Sequence, residues 1–121
     1  MAYSEILADR IRQAFAHLPS VKEQKMFGGI AFIVNGKLCV GVYSREDMML
    51  RCDPAMTDEL LTKKGARHAD MKGKPMAEGW LLVSSEGIES KKDFDYWIGV
   101  ALDFNRKKVA MEKKGTQHLG Q

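Results

Sequence analysis

The side chains that could do chemistry are few and scattered in this sequence of 121 residues. Its three histidines are His17, at the end of a predicted helix, His68, near a predicted strand edge, and His118, in the C-terminal tail. A nucleophilic site needs a base within hydrogen-bond reach of a serine or cysteine. No serine or cysteine near these histidines forms a recognisable nucleophile motif, so the sequence predicts no catalytic residue.

The two cysteines are the next candidates. Cys39, Cys52 and His68 could in principle offer soft metal ligands, but their spacing matches no zinc signature. Both cysteines lie in apolar sequence, where a reduced cysteine packs as a small hydrophobic side chain. We therefore expect two buried thiols, and no disulfide framework, metal or cofactor.

The glycine pair Gly28-Gly29 invites comparison with a phosphate-binding loop. It lacks the further glycines, the Lys-Ser/Thr pair and the following helix of such a loop. At the head of a strand it predicts a bulge or a close backbone approach instead. The many methionines, like Trp80 and Trp97, could line an adaptable groove, although core filling is favoured.

The net charge of +3 is concentrated at one end of the chain. Residues 105–121 hold five of the 19 basic and one of the 16 acidic side chains, which leaves 14 basic and 15 acidic residues in 1–104. The run Arg106-Lys107-Lys108 keeps a nucleic-acid contact open as an alternative. The near-neutral body gives little support to a DNA-binding surface on the domain itself.

Hydrophobic periodicity predicts the elements of the first half. Residues 4–18 form an amphipathic helix with Ser4 as N-cap. Residues 24–52 hold three antiparallel strands, and Asn35-Gly36 forms a two-residue type I′ turn. That turn pairs Val34 with Lys37, Ile33 with Leu38, Phe32 with Cys39 and Ile30 with Gly41. A four-residue loop after Tyr43, residues 44–47, would then pair Gly41 with Leu50.

The second half predicts a short helix, two strands and a long helix. Asp53-Pro54 opens the short helix and Gly65 ends it. The strands lie near residues 67–71 and 80–84. The last helix, about 91–108, begins at a capping box of Ser90 and Asp93 and carries the clearest apolar stripe of the chain.

These elements predict a two-layer α+β domain in the order α-β-β-β-α-β-β-α, with a five-stranded antiparallel sheet. Residues 1–109 form the domain and 110–121 a flexible tail. The sequence has neither an apolar run long enough to span a bilayer nor a recognisable signal peptide, so we expect a cytoplasmic protein without a membrane partner.

Both faces of the predicted sheet are largely apolar, although the helices are expected to cover only one of them. The bulkier face carries Ile30, Phe32, Val34, Leu50 and their neighbours, and we expect the helices to cover it. The other face is largely apolar, and a contiguous exposed apolar patch marks an interaction surface. We expect this face to bind a partner protein or a second copy of the chain; its residues are Ala31, Ile33, Leu38, Val40, Val42, Met49 and Arg51.

Several motifs together resemble one family. Residues 26–29 (Met-Phe-Gly-Gly), Asn35-Gly36-Lys37 and Val40-Gly41-Val42 are similar to the opening signature of the TfoX/Sxy N-terminal domain family. Residues 73–76 (Gly-Lys-Pro-Met), Gly79-Trp80 and the closing helix with Trp97 match its second half.

The resemblance implies the same element order and a two-layer fold like that of type III secretion chaperones. Family members that act as transcriptional coactivators in competence carry a further C-terminal helical domain. The similarity here covers only the N-terminal domain, so the resemblance implies a stand-alone N-terminal domain. It supplies no catalytic residue. The expected function is a non-catalytic, protein-binding regulatory module. The alternatives are nucleic-acid association through the tail, or an uncatalogued enzyme with a cleft beside Trp80 or His68.

Overall fold

The computed structural model describes residues 4–26, 28–42, 47–71, 74–75 and 79–119. It confirms an α+β fold in which helices cover one face of an antiparallel sheet. The helices are α1, Glu5–Ala14, α2, Thr57–Leu60, and α3, Lys91–Leu119. Two 3₁₀ turns, Pro54–Met56 and Ser85–Gly87, precede α2 and α3 respectively.

In the described residues the strands form a six-stranded sheet and a small separate hairpin. The strands are β1 Val21–Met26, β2 Gly29–Val34, β3 Lys37–Val42, β4 Met48–Arg51, β5 Ala66–His68, β6 Asp70–Met71, β7 Lys74–Pro75 and β8 Trp80–Val83. The order across the large sheet is β1-β2-β3-β4-β8-β5, with antiparallel neighbours throughout, while β6 pairs with β7.

The additional strand of the large sheet is β1, which the sequence prediction omitted. Its residues are mostly charged or polar, and the side chains of Lys22, Glu23, Gln24 and Lys25 are exposed. The strand lies at the sheet edge and pairs only with β2 in the described structure. Lysines on an edge strand discourage pairing with another chain, and they also remove the apolar alternation that predicts a strand.

The predicted turn at Asn35-Gly36 is confirmed. Asn35 has φ 53° and Gly36 has φ 81°, the two positive values that a type I′ turn requires. Val34 pairs with Lys37 and Ile33 with Leu38, as predicted.

Beyond those pairs the predicted register is wrong, because β3 contains a bulge. Phe32 pairs with Val40 rather than with Cys39, and Ile30 pairs with Val42 rather than with Gly41. Cys39 is the extra residue. The register with β4 shifts in step, so Val40 pairs with Leu50 and the predicted pairing of Gly41 with Leu50 is also wrong. Tyr43 and most of its predicted loop lie outside the described residues.

The bulge changes which side chains enter the core. It turns Val40 and Val42 toward the helices, where both are fully buried. Gly41 then lies on the opposite face, across from Ala31. A Cβ on Gly41 would lie 2.9 Å from the carbonyl oxygen of Ile30, so only glycine fits here without a shift.

The main core lies between the sheet and the helices α1 and α3. Helix α1 begins at Ser4, whose Oγ accepts a hydrogen bond from the Leu7 amide at 3.1 Å. Ser90 precedes helix α3, and its Oγ accepts one from the Asp93 amide at 3.1 Å, which is the Ser90 half of the predicted capping box. The core cluster joins helix residues to sheet residues; among them are Leu7, Ile11, Phe15, Phe32, Val40, Val42, Leu50, Leu81, Phe94, Trp97, Ile98 and Ala101.

Helix α3 is longer than predicted. It continues to Leu119 instead of ending near 108, so the backbone of the predicted tail extends the helix. The flexibility of residues 110–121 stays a prediction. Within the described residues no helix is long and apolar enough to cross a membrane.

Candidate interaction site

Most residues of the predicted interaction face are buried within the domain. Val40 and Val42 do not belong to it, since the bulge at Cys39 places them in the helix-covered core. Ala31 and Met49 do lie on it, but only 2% and 6% of their surfaces are exposed. Their inclusion as exposed docking residues is therefore corrected.

The same face has a small core of its own. Met49 and Leu82 are neighbours across β4 and β8, and they cluster with Ala69, which follows β5. Leu38 and Trp80 pack against this cluster and are partly buried. Of the predicted face, the residues that remain partly exposed are Ile33, Leu38 and Arg51.

Arg51 is engaged within the domain. Its guanidinium carbon lies 4.8 Å from the ring centroid of Trp80 and 5.4 Å from that of Phe104, distances typical of cation–π contact. Arg51 and Trp80 are also direct partners in the β4–β8 register. Arg51 thus links the sheet to α3 and is not a free cation for a ligand.

The cysteines are buried thiols, as predicted. Neither forms a disulfide. Burial raises the pKa of Cys39 to about 12, although the nearby charge of Arg51 acts in the opposite direction. Burial also raises the pKa of Cys52, against a hydrogen bond with the Thr57 side chain. Both therefore stay protonated near neutral pH and are poor nucleophiles. No three His, Cys, Asp or Glu side chains of the described residues are grouped to hold a metal ion.

Two cations of the predicted nucleic-acid run are already paired. Arg106 forms an ion pair with Asp103 on the same helix. Lys107 donates to Asp53 Oδ2 at 2.7 Å, and this hydrogen bond is the main reason why the pKa of Asp53 is lowered. These contacts reduce the charge available to a phosphate backbone. The tail hypothesis itself stays a prediction.

Unpaired positive charge gathers elsewhere, in a pocket between the end of α2 and the start of α3. The pocket has a volume of about 250 Å³. We call it the lysine pocket; its lining residues are Lys63, Lys64, Gly87, Lys92, Asp93, Tyr96 and Trp97.

Two glycines bring the halves of the lysine pocket together. Gly65 has φ 81° and ends the turn after Lys63 and Lys64, but α2 itself ends at Leu60, so the predicted helix end at Gly65 is wrong. A Cβ on Gly65 would lie 2.9 Å from the amide nitrogen of Gly87, and a Cβ on Gly87 would overlap the Lys64 carbonyl oxygen. Because both residues lack a Cβ, the backbone after α2 can lie against the 3₁₀ turn that leads into α3.

The first turns of α3 supply the other wall. Lys92, Asp93 and Tyr96 are exposed there, while Trp97 is buried beneath them as part of the core. The Tyr96 ring packs edge-on against Trp97, with 5.5 Å between ring centroids, and 42% of Tyr96 is exposed. The Lys63 Nζ lies 5.0 Å from the Tyr96 ring centroid. The pocket therefore combines an aromatic wall with three ammonium groups.

The charges of the lysine pocket are not neutralised in the described structure. Lys64 and Lys92 have no ion-pair partner there, and the Lys63 ammonium lies over the Tyr96 ring. Neighbouring Lys91, by contrast, pairs with Asp95 at 2.6 Å. Lys92 also lies in the first turn of α3, where the helix dipole disfavours a cation. Such an arrangement has an electrostatic cost that an anionic ligand would relieve.

A larger hollow of about 440 Å³ lies between α1 and α3, but its groups are already engaged. Arg10 donates to the Ile88 carbonyl oxygen at 2.8 Å and stacks 4.2 Å from the Phe94 ring centroid. Lys91 and Asp95 neutralise each other on its other wall. The lysine pocket is thus the better candidate site.

Fold and site together define a small α+β domain with a cationic, aromatic-walled pocket on its helical layer. The chain belongs to the TfoX N-terminal domain family, whose family model matches residues 13–105. This match confirms the resemblance predicted from the glycine and tryptophan motifs. No curated protein has significant sequence similarity to the chain.

The sequence alone does not predict the lysine pocket. Neither Lys63 nor Lys64 is among the predicted site residues, and Trp97 is predicted to fill the core, where the structure places it. The close contact of Gly65 with Gly87 joins residues that are far apart in the chain. The one available signal was a pair of adjacent lysines before a glycine, which is too common to identify a site.

Proposed function

We propose that this domain is a non-catalytic, cytoplasmic regulatory module that acts by binding another protein. Membership of the TfoX N-terminal domain family supports a regulatory module in general. The observation that carries the proposal is the lysine pocket, where Lys64 and Lys92 have no acidic partner in the described structure beside an exposed Tyr96. Two lysines that have no ion-pair partner in the described residues, held beside an exposed aromatic ring, favour a recognition role.

The surroundings of the reactive groups support binding over catalysis. Both thiols are buried and their pKa values are raised, so their nucleophilic form is suppressed at neutral pH. Active sites instead adjust pKa values toward the working pH in an accessible cleft.

The distribution of charge supports a protein partner over nucleic acid. Binding to a phosphate backbone uses cations spread along a stripe or groove. Here Arg106 and Lys107 are paired with carboxylates, whereas Lys64 and Lys92, which have no ion-pair partner in the described residues, face one compact hollow. A single hollow suits side chains that project from a protein.

The test is to isolate the partner of the full chain from its native cells. The chain, tagged and expressed at its natural level, is crosslinked, and captured proteins are identified after nuclease treatment and a high-salt wash. The partner is then purified and mixed with the chain. We expect a complex of fixed stoichiometry by light scattering and a saturable isotherm by calorimetry.

Three results would contradict the proposal. One is recovery of nucleic acid only, lost on nuclease treatment. Another is a chain that associates only with its own copies, which light scattering of the chain alone would reveal. The third is turnover of a small molecule by the purified chain.

A further inference from the structure

We infer that the lysine pocket binds an acidic segment of the partner protein. Carboxylates of the segment lie between Lys64 and Lys92, and an adjacent apolar side chain lies against Tyr96. This inference rests on the proposed function and adds to it the site and the chemistry of the partner. It depends on the charge, the size and the walls of the pocket.

The net charge of the pocket determines which charge its ligand must carry. Three lysines and one aspartate line the pocket, which leaves it net positive. The ammonium of Lys63 is held over the Tyr96 ring, so Lys64 and Lys92 remain as the cations without an ion-pair partner in the described residues. Carboxylates can satisfy these groups through charge-assisted hydrogen bonds.

Size limits how much of a ligand enters. A volume of about 250 Å³ lies below the roughly 300–1,000 Å³ of pockets that enclose drug-sized ligands. It has room for one or two side chains from a segment that passes over the surface. The surrounding surface is open enough for such a segment, since Lys63, Lys64, Lys92 and Tyr96 are all exposed.

The walls favour a peptide over a phosphate group. Asp93 lines the pocket with an exposed carboxylate, which would repel a doubly charged phosphate more strongly than a single carboxylate. Tyr96 offers an exposed ring supported from below by Trp97, and such amphipathic aromatic surface is enriched at protein interfaces. An acidic segment with an apolar residue matches both features.

The direct test uses a short acetylated peptide of glutamates around one phenylalanine, with fluorescence anisotropy as the readout. We expect saturable binding to the full chain that weakens as salt rises. A peptide with lysine in place of glutamate should not bind. Two-dimensional NMR should place the peptide by shifts at the Trp97 indole and the Lys64 amide.

Charge variants locate the site. The double variant Lys64→Glu, Lys92→Glu should lose about tenfold or more in affinity, because its new carboxylates would repel the carboxylates of the peptide. The matched control, Lys22→Glu with Lys25→Glu, makes the same charge change on the exposed strand β1, at the opposite edge of the sheet from β5. It should bind like the wild type. The conservative pair Lys64→Arg, Lys92→Arg should retain binding.

Several outcomes would overturn the inference: no peptide binding, equal loss in the β1 control, or tighter binding of inorganic phosphate or single-stranded DNA than of the peptide. The complex isolated from cells tests the proposed function and the proposed binding site separately. If it forms equally well with Lys64→Glu, Lys92→Glu, the partner binds elsewhere and only this inference fails. If the wild-type chain forms no complex with any protein, the proposed function itself is wrong.

Discussion

At the scale of single residues, Cys39 shows how burial changes the acidity of a side chain. As the extra residue of β3 it has no partner on β2, yet its thiol is buried in the core. That burial raises its pKa from 9.0 to about 12. The unfolded chain therefore loses this proton at a lower pH than the folded protein does.

The consequence is a loss of stability in alkaline solution. Above about pH 9 the unfolded state binds fewer protons at Cys39 than the folded state, so the free energy of unfolding falls as pH rises, until the folded thiol itself ionises near pH 12. Between these two pH values, Cys39 should lower the free energy of unfolding by up to roughly 1.4 kcal/mol per pH unit. Urea titrations of wild type and Cys39→Ala between pH 8 and 11 measure it, and the wild type should lose more stability over this range. Parallel curves for the two proteins would contradict the prediction.

Asn105 makes a second residue-scale contact, one that ties α3 to the sheet. Its Nδ2 donates to the Val34 carbonyl oxygen at 3.0 Å, and the site is buried. Its Oδ1 accepts a longer hydrogen bond, 3.4 Å, from the Asn35 side chain of the type I′ turn.

Replacing Asn105 by alanine should destabilise the domain by about 1–3 kcal/mol, because the Val34 carbonyl would lose its side-chain donor in a buried place. Chemical denaturation provides the measurement. The matched control is Asp103→Ala on the same helix, which removes only an exposed ion pair and should change stability by less than about 0.5 kcal/mol. Similar values for the two variants would show that Asn105 is not an anchor.

At the scale of elements, close backbone contact between two turns determines where α3 begins relative to α2. Gly87 lies where a Cβ would overlap the Lys64 carbonyl oxygen and would lie 2.7 Å from Val83 Cγ1. Gly99, inside α3, has nothing within 4 Å of its Cβ position. The same substitution should therefore have opposite effects at the two glycines.

Gly87→Ala should destabilise the domain by about 1–3 kcal/mol, as expected for a group forced into packed structure. Gly99→Ala should stabilise it by about 0.5–1 kcal/mol, because alanine is the better helix former. Thermal unfolding of the two variants is the measurement. A neutral Gly87→Ala would mean that the turns at Gly65 and Gly87 are not in contact.

The elements also show what the sequence can predict. Local signals sufficed for the Asn35-Gly36 turn, the Ser4 and Ser90 caps and the apolar stripe of α3, because each depends on residues within a few positions of one another. The edge strand β1 was not predictable from periodicity, since its charged side chains follow from its place at the sheet edge.

The bulge and the lysine pocket depend on tertiary structure and lay beyond local reasoning. A single extra residue at Cys39 reverses the facing of Val40 and Val42, and the sequence around it also satisfies an unbulged register. The predicted interaction face followed from that unbulged register. The pocket requires the contact between Gly65 and Gly87, which no spacing in the chain indicates.

At the scale of the whole molecule, several cations outside the lysine pocket form ion pairs, whereas Lys64 and Lys92 have no ion-pair partner in the described residues. Arg12 donates to Glu23 at 2.7 Å between α1 and β1, which lowers the pKa of Glu23. Arg67 pairs with Asp47, and Lys107 with Asp53, each at 2.7 Å. Exposed pairs of this kind add little stability individually. The lysine pocket differs because it brings three lysines together around a single aspartate.

Because like charges repel, a pocket that is kept positive for binding should reduce the stability of the free domain. Lys92 is the residue at which the effects on stability and on affinity can be separated. It lies in the first turn of α3, where a carboxylate is favoured over an ammonium, and it faces Lys63 and Lys64 across the pocket. Lys92→Glu should raise the free energy of unfolding by about 0.5 kcal/mol, or the melting temperature by roughly 2–4 °C, at low salt.

The same variant should bind the acidic peptide more weakly than the wild type, so stability and affinity should change in opposite directions. Calorimetry at 20 and 500 mM NaCl measures the stability term, which should shrink at the higher salt concentration because surface charges are screened. Lys22→Glu on β1 is the control, since it lies outside both the helix terminus and the pocket, and it should alter neither property appreciably. If Lys92→Glu instead lowered stability and affinity together, Lys92 would serve the fold, and the unpaired charge of the pocket would no longer indicate a ligand.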